Sequence, residues 1–112
     1  MSDKLLFLEG DGVGPTVLAT AERVLTAATD SLEIVRGDIG RGAFDRTGQY
    51  LPYETMDLLD ECEIVVSGPV HKGDLGEDAL KTLTIQLNLF SMVKHYRTLA
   101  PDLGVHDIDI AF

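Results

Sequence analysis

The spacing of apolar positions changes several times along the chain, and each change marks an element. Residues 5–8, Leu-Leu-Phe-Leu, form a continuous apolar run that stops at Glu9 and the turn Gly10-Asp11-Gly12-Val13-Gly14-Pro15. A run apolar on both faces predicts a strand inside a covered, mostly parallel sheet. Val17, Leu18, Ala21, Val24, Leu25 and Ala28 then recur at helical spacing, with Glu22, Arg23 and Thr26 on the other face. Pro15 suits a first helical turn, where its missing N–H costs nothing. Residues 5–29 therefore read as strand, tight glycine loop, helix.

Residues 32–36 predict a second strand, and the glycines from Gly37 to Gly42 break regular structure after it. Residues 43–51 read as a loop with Gly48 as a turn residue. Pro52 opens a second helix, with Glu54 in its first turn and Met56, Leu59 and Cys62 on its buried side. Residues 64–66 predict a third buried strand, stopped by Gly68-Pro69, and a polar loop runs to Asp78. Leu80, Leu83, Leu87 and Phe90 repeat at helical spacing and predict a third helix. Strands over 92–97 and 108–111 follow. The order β-α-β-loop-α-β-loop-α-β predicts an α/β fold, a mostly parallel sheet with helices on both faces. No repeat, low-complexity stretch or Pro/Gly/Ser-rich linker divides the 112 residues, so they read as one domain.

Charge narrows the partners. Nine Lys and Arg against nineteen Asp and Glu give a net charge of −10. Such a surface repels phosphate backbones and anionic lipid, which points away from nucleic acid and membranes. The one cysteine, Cys62, leaves no internal disulfide and no multi-cysteine zinc site. The apolar run at residues 5–8 is far too short for a signal or membrane segment. A cytoplasmic protein is expected.

Local chemistry is sparse. The glycine turn sits where a nucleotide-binding loop would, between strand and helix. Pro15 stands where the dinucleotide pattern needs its third glycine, no Gly-Lys-Ser/Thr is present, and Glu9 and Asp11 would repel a phosphate. A tight connection is the better reading. His71, His95 and His106 share no metal-ligand spacing and read as surface or loop residues. Ser67 is in no nucleophile-elbow pattern, and Cys62 reads as a small apolar packer. No catalytic residue and no metal ligand is predicted.

The hexapeptide 10–15, directly after an apolar strand and before a helix, resembles the opening of the isocitrate and isopropylmalate dehydrogenase family. Further matches follow in the family's order. Gly40-Arg41-Gly42-Ala43 and Gly48-Gln49-Tyr50-Leu51-Pro52 resemble its Gly-Gly-x-Ala and Gly-x-x-Leu-Pro region. Residues 64–70 resemble its strand ending in a glycine turn, and residues 83–94 its Leu-Arg…Leu/Ile-Arg segment. Residues 108–111 resemble the strand leading to its Arg-Glu-Asn.

The resemblance implies the N-terminal third of a larger fold, 1–112 being a single truncated α/β domain. It implies a decarboxylating 2-hydroxy-acid dehydrogenase using NAD or NADP and Mg or Mn, with the cofactors implied by the family only. Gly68, Pro69, Val70 and His71 would lie beside the nicotinamide. Thr84 and Lys94 stand where two family arginines clamp substrate carboxylates. Lysine keeps the charge without the planar fork, and threonine keeps neither. Glu77 with Leu80 resembles the isopropylmalate branch more than the isocitrate branch. The family's catalytic tyrosine and lysine, metal-binding aspartates and adenine loop fall beyond Phe112, so the chain is not expected to be catalytically complete alone. The expected partners are a second copy or a complementary C-terminal polypeptide, and a small 2-hydroxy acid once assembled. The alternative is a non-catalytic binding or regulatory module that kept the scaffold and lost the chemistry.

Overall fold

The computed structural model describes residues 3–74, 78–103 and 107–112. Three strands form a parallel sheet: β1 (Asp3–Leu8), β2 (Leu32–Gly37) and β3 (Ile64–Ser67). The order is β2-β1-β3, with Leu5 opposite Ile34 on one side and Ile64 on the other. The central position of β1 explains its unbroken apolar run. Leu5, Leu6, Phe7 and Leu8 are all buried, because both edges are paired and both faces are covered.

The covering layers follow the pleat. Leu5 and Phe7 face α1 (Gly14–Ala28), packing with Leu18, Ala21 and Leu25. Leu6 and Leu8 face the opposite layer, where Ile39, Leu51, Cys62, Ala79 and Leu83 complete the core. That layer holds α2 (Arg41–Thr47), α3 (Tyr53–Leu59) and α4 (Ala79–Gln86). Parallel sheet and helices on both faces are thus as the apolar pattern predicts. Cys62 is buried, as its packing role requires.

Several elements differ from expectation. Residues 43–51 are no plain loop, since α2 occupies most of them and ends at Gly48 in a left-handed cap with φ 80°. Gly40 at its start and Gly42 inside it hide any helical period. The third helix stops at Gln86 instead of reaching Phe90. Asn88 takes φ 54°, turning the chain away, and Phe90 is fully exposed. β3 is an edge strand and only half-buried, with Ile64 50% exposed. On α1, Val17 and Val24 face solvent while Leu18 is buried, so the apolar stripe is wider than the core contact.

The last two strands leave the parallel sheet. β4 (His95–Arg97) and β5 (Asp109–Ala111) pair antiparallel as a separate ribbon, extended by paired bonds between Lys94 and Phe112. Every residue of both strands is exposed. The alternation puts Lys94, Tyr96, Ile110 and Phe112 on one ribbon face. Tyr96 and Phe112 meet edge to face at 6.0 Å. With this ribbon standing free, the radius of gyration is 15.9 Å. A compact chain of this length would have about 13 Å.

Candidate functional site

Parallel α/β sheets place ligands at the carboxyl ends of their strands, where the loops to the next elements gather. Here those segments are 9–13 after β1, 38–40 with the first turn of α2 after β2, and 68–71 after β3. They converge on Asp11.

The Asp11 carboxylate accepts only backbone N–H groups. Oδ1 accepts from Arg41 at 2.9 Å and Gly42 at 3.3 Å. Oδ2 accepts from His71 at 2.8 Å and Arg41 at 3.0 Å. The Asp11 N–H in turn donates to the Pro69 carbonyl at 2.7 Å. Burial acts to raise the Asp11 pKa, but the donors at Arg41, His71 and Gly42 outweigh it, and the carboxyl is held below its ordinary range. Asp11 therefore caps the first turn of α2 from a distant segment, in place of a local capping residue. It was read in the sequence as a charge that would repel phosphate. Its partners lie 30 and 60 residues away, where no local pattern signals them.

The glycines make this convergence sterically feasible. Gly40 has φ 96°, and a Cβ there would lie 2.3 Å from Asp11 Oδ2. A Cβ on Gly10, at φ 73°, would lie 2.3 Å from the Pro69 carbonyl oxygen. Such closeness fits the tight-connection reading, since these backbones pack on one another.

The predicted cofactor-side residues are brought together here. Gly68 N–H donates to the Leu8 carbonyl at 2.8 Å, Pro69 accepts from Asp11, and His71 donates to it. Val70 packs on the core, while Pro69 and His71 face outward. Beside this, a cleft of about 400 Å³ lies between the ends of β1 and β2, lined by Glu9, Gly10, Arg36, Asp38, Gly42 and Arg46 among others. Its arginines are paired: Arg36 with Glu9 and Glu22, Arg46 with Asp38 and Glu54.

The predicted substrate-side residues are more scattered. Thr84 lies on α4, half-buried, and its hydroxyl donates to the Leu80 carbonyl at 2.8 Å. It lines an apolar groove of about 300 Å³ with Leu89, Phe90, Ser91 and Met92. Leu80 is 37% exposed. Lys94 begins the ribbon with its side chain in solvent. Glu77 lies outside the described residues, as does His106. Among the described residues, no group of three or more His, Cys, Asp or Glu side chains could hold a metal ion, and no helix is long and apolar enough to cross a membrane.

The family model described as isocitrate/isopropylmalate dehydrogenase matches residues 4–108. The chain belongs to this family. The 3-isopropylmalate dehydrogenase of Shouchella clausii is 33% identical, over 93% of this chain and 32% of its own length. The NADP isocitrate dehydrogenase of Staphylococcus aureus is 39% identical over 71 residues, covering 57% of this chain and 17% of its own length. The solved isocitrate dehydrogenase of Methylococcus capsulatus superposes with a TM-score of 0.87 at 25% identity, over 97% of this chain and 33% of that one. The chain thus spans a third or less of these relatives. Both branches named by the resemblance appear among its matches.

Proposed function

We propose that the chain supplies the N-terminal portion of an NAD(P)- and divalent-metal-dependent decarboxylating 2-hydroxy-acid dehydrogenase of isopropylmalate or isocitrate type, and is not catalytically complete alone. The observation that carries this reading is the convergence of three post-strand loops on Asp11, at the sheet end where α/β proteins bind ligands. The 68–71 loop fits a place beside a nicotinamide. Its backbone is bonded inward at Gly68, Pro69 and His71, leaving the Pro69 and His71 side chains as a fixed outward face. Bound there, the nicotinamide would supply the hydride acceptor. A divalent cation does not fit the described residues, so its ligands would come from the complementary part.

On the substrate side, Lys94 offers an ammonium to a carboxylate. Thr84 offers a hydroxyl already bonded to its own helix, in place of a family arginine. Losing a charged clamp weakens substrate binding by a few kcal/mol, about 2–5 by analogy with truncated interfacial charge pairs. Leu80 and the apolar groove beside Thr84 favour the isopropylmalate branch, where they would meet an alkyl group. Thr84 also motivates the second reading, a non-catalytic module, because it removes an anion clamp from the site.

The covering partner is a complementary C-terminal polypeptide. Tyr96, Ile110 and Phe112 on the ribbon face leave apolar area open for it, and a second copy is the other partner that area could take. The test combines the purified chain with the C-terminal remainder of the Shouchella relative. NAD or NADP, Mg and isopropylmalate or isocitrate are added, and reduced cofactor is followed by absorbance. Turnover only in the mixture is expected. A co-eluting complex with no turnover on either substrate would establish the non-catalytic reading instead.

A further inference from the structure

We infer that Asp11 is a positioning residue that locks the 68–71 loop to the first turn of α2, so that the outward face of that loop is set by a carboxylate which touches no ligand. The inference rests on the proposed place of the 68–71 loop beside the nicotinamide. Its structural half stands on this chain alone.

The argument is one of acceptor count. Oδ2 faces the His71 N–H, Oδ1 faces the Gly42 N–H, and the Arg41 N–H lies between the two oxygens. Both oxygens are used as acceptors: Oδ1 serves α2, and Oδ2 bridges α2 and the 68–71 loop. An amide side chain has one oxygen and one NH₂. Asp11→Asn keeps the shape, yet it must turn its NH₂ toward either His71 or Gly42, setting donor against donor. With its oxygen toward His71 it still reaches Arg41 but sets its NH₂ against Gly42; with its oxygen toward Gly42 it loses His71. Gly40 leaves the space of the carboxylate free, since a Cβ there would overlap it. The Asp11 N–H to Pro69 bond persists in the variant, so the loop loosens locally and the fold is retained.

A residue important only for overall stability would behave differently. Its loss would speed hydrogen exchange across the whole core in step, through global unfolding. A positioning role predicts a local effect. In the full chain, amide exchange by NMR in Asp11→Asn should rise at least about tenfold at His71 or at Gly42, beyond any change at β1. Equal changes at these amides and at β1, or none, would overturn the inference. Should the variant not fold, acid titration of the natural chain serves. The amide shifts of Arg41, Gly42 and His71 should then move with one shared midpoint, and separate midpoints would overturn the inference.

The functional half is read in the complex with the complementary polypeptide. Asp11→Asn should raise KM for the nicotinamide cofactor by more than it lowers kcat. An unchanged KM overturns the positioning role even where the amides loosen. Failure of the unmutated complex to bind cofactor overturns the reading of the loop instead, and the amide experiment still decides the lock.

Discussion

Alanine at Gly40 would place a methyl group where the Asp11 carboxylate lies. The added Cβ would be 2.3 Å from Oδ2 and 2.8 Å from Cγ, and the backbone there, φ 96° and ψ −154°, is one that only glycine adopts easily. The backbone strain alone is worth about 1–3 kcal/mol. Displacing the carboxylate also weakens its bonds to Arg41, Gly42 and His71. Loss of the equivalent of one such charged bond adds about 1.5–3 kcal/mol. Together Gly40→Ala should destabilise by about 2.5–6 kcal/mol, a large share of the roughly 5–15 kcal/mol that holds a domain folded. Gly42→Ala, two residues on, is the matched control. A Cβ there meets nothing within 4 Å and sits inside α2, where alanine should be neutral or stabilise by up to about 1 kcal/mol. Urea unfolding followed by far-ultraviolet circular dichroism separates the two midpoints. A Gly40→Ala midpoint equal to that of the natural chain, or a Gly42→Ala midpoint equally lowered, would refute the reasoning.

Phe7, fully buried against Leu18, should cost about 3–5 kcal/mol on truncation to alanine, read by the same unfolding assay; a loss below about 1 kcal/mol would mean the α1 layer does not cover it. The Asp11 carboxyl titrates below its ordinary 3.8 in the folded chain. Its stabilisation is therefore complete above that value and is lost as pH falls through the lower folded pKa. Acid unfolding should be less steep in Asp11→Asn over that window, and identical profiles would contradict the assignment. Burial pushes the Cys62 thiol up, so a disulfide reagent should label it at the rate of unfolding rather than at the rate of a free thiol. Fast labelling of the folded chain would place Cys62 at the surface.

What the sequence disclosed depended on whether the cause was local. β1 was legible because four buried side chains stand in a row, and α1 because its apolar positions recur on one face. α2 was not, because its start is fixed by Asp11, thirty residues upstream, and its glycines carry no period. The end of α4 was overrun because Leu87 and Phe90 continue the helical spacing, while the turn at Asn88 is a backbone event without a hydrophobic signature. In the site, the Gly68–His71 loop was found through its resemblance to the family. Asp11 was seen in the same motif, but its role required knowing which amides would face it.

The placement of β1 has a consequence for biosynthesis. Of the three strands of this sheet the first made is the middle one, and both its neighbours follow it, the second ending only at Ser67. Until then the edge of Leu5, Leu6, Phe7 and Leu8 that β3 pairs stays open. Non-local pairing of this kind is slow and exposes sticky intermediates. Newly made chains should therefore be clients of holding chaperones until β3 closes the second edge.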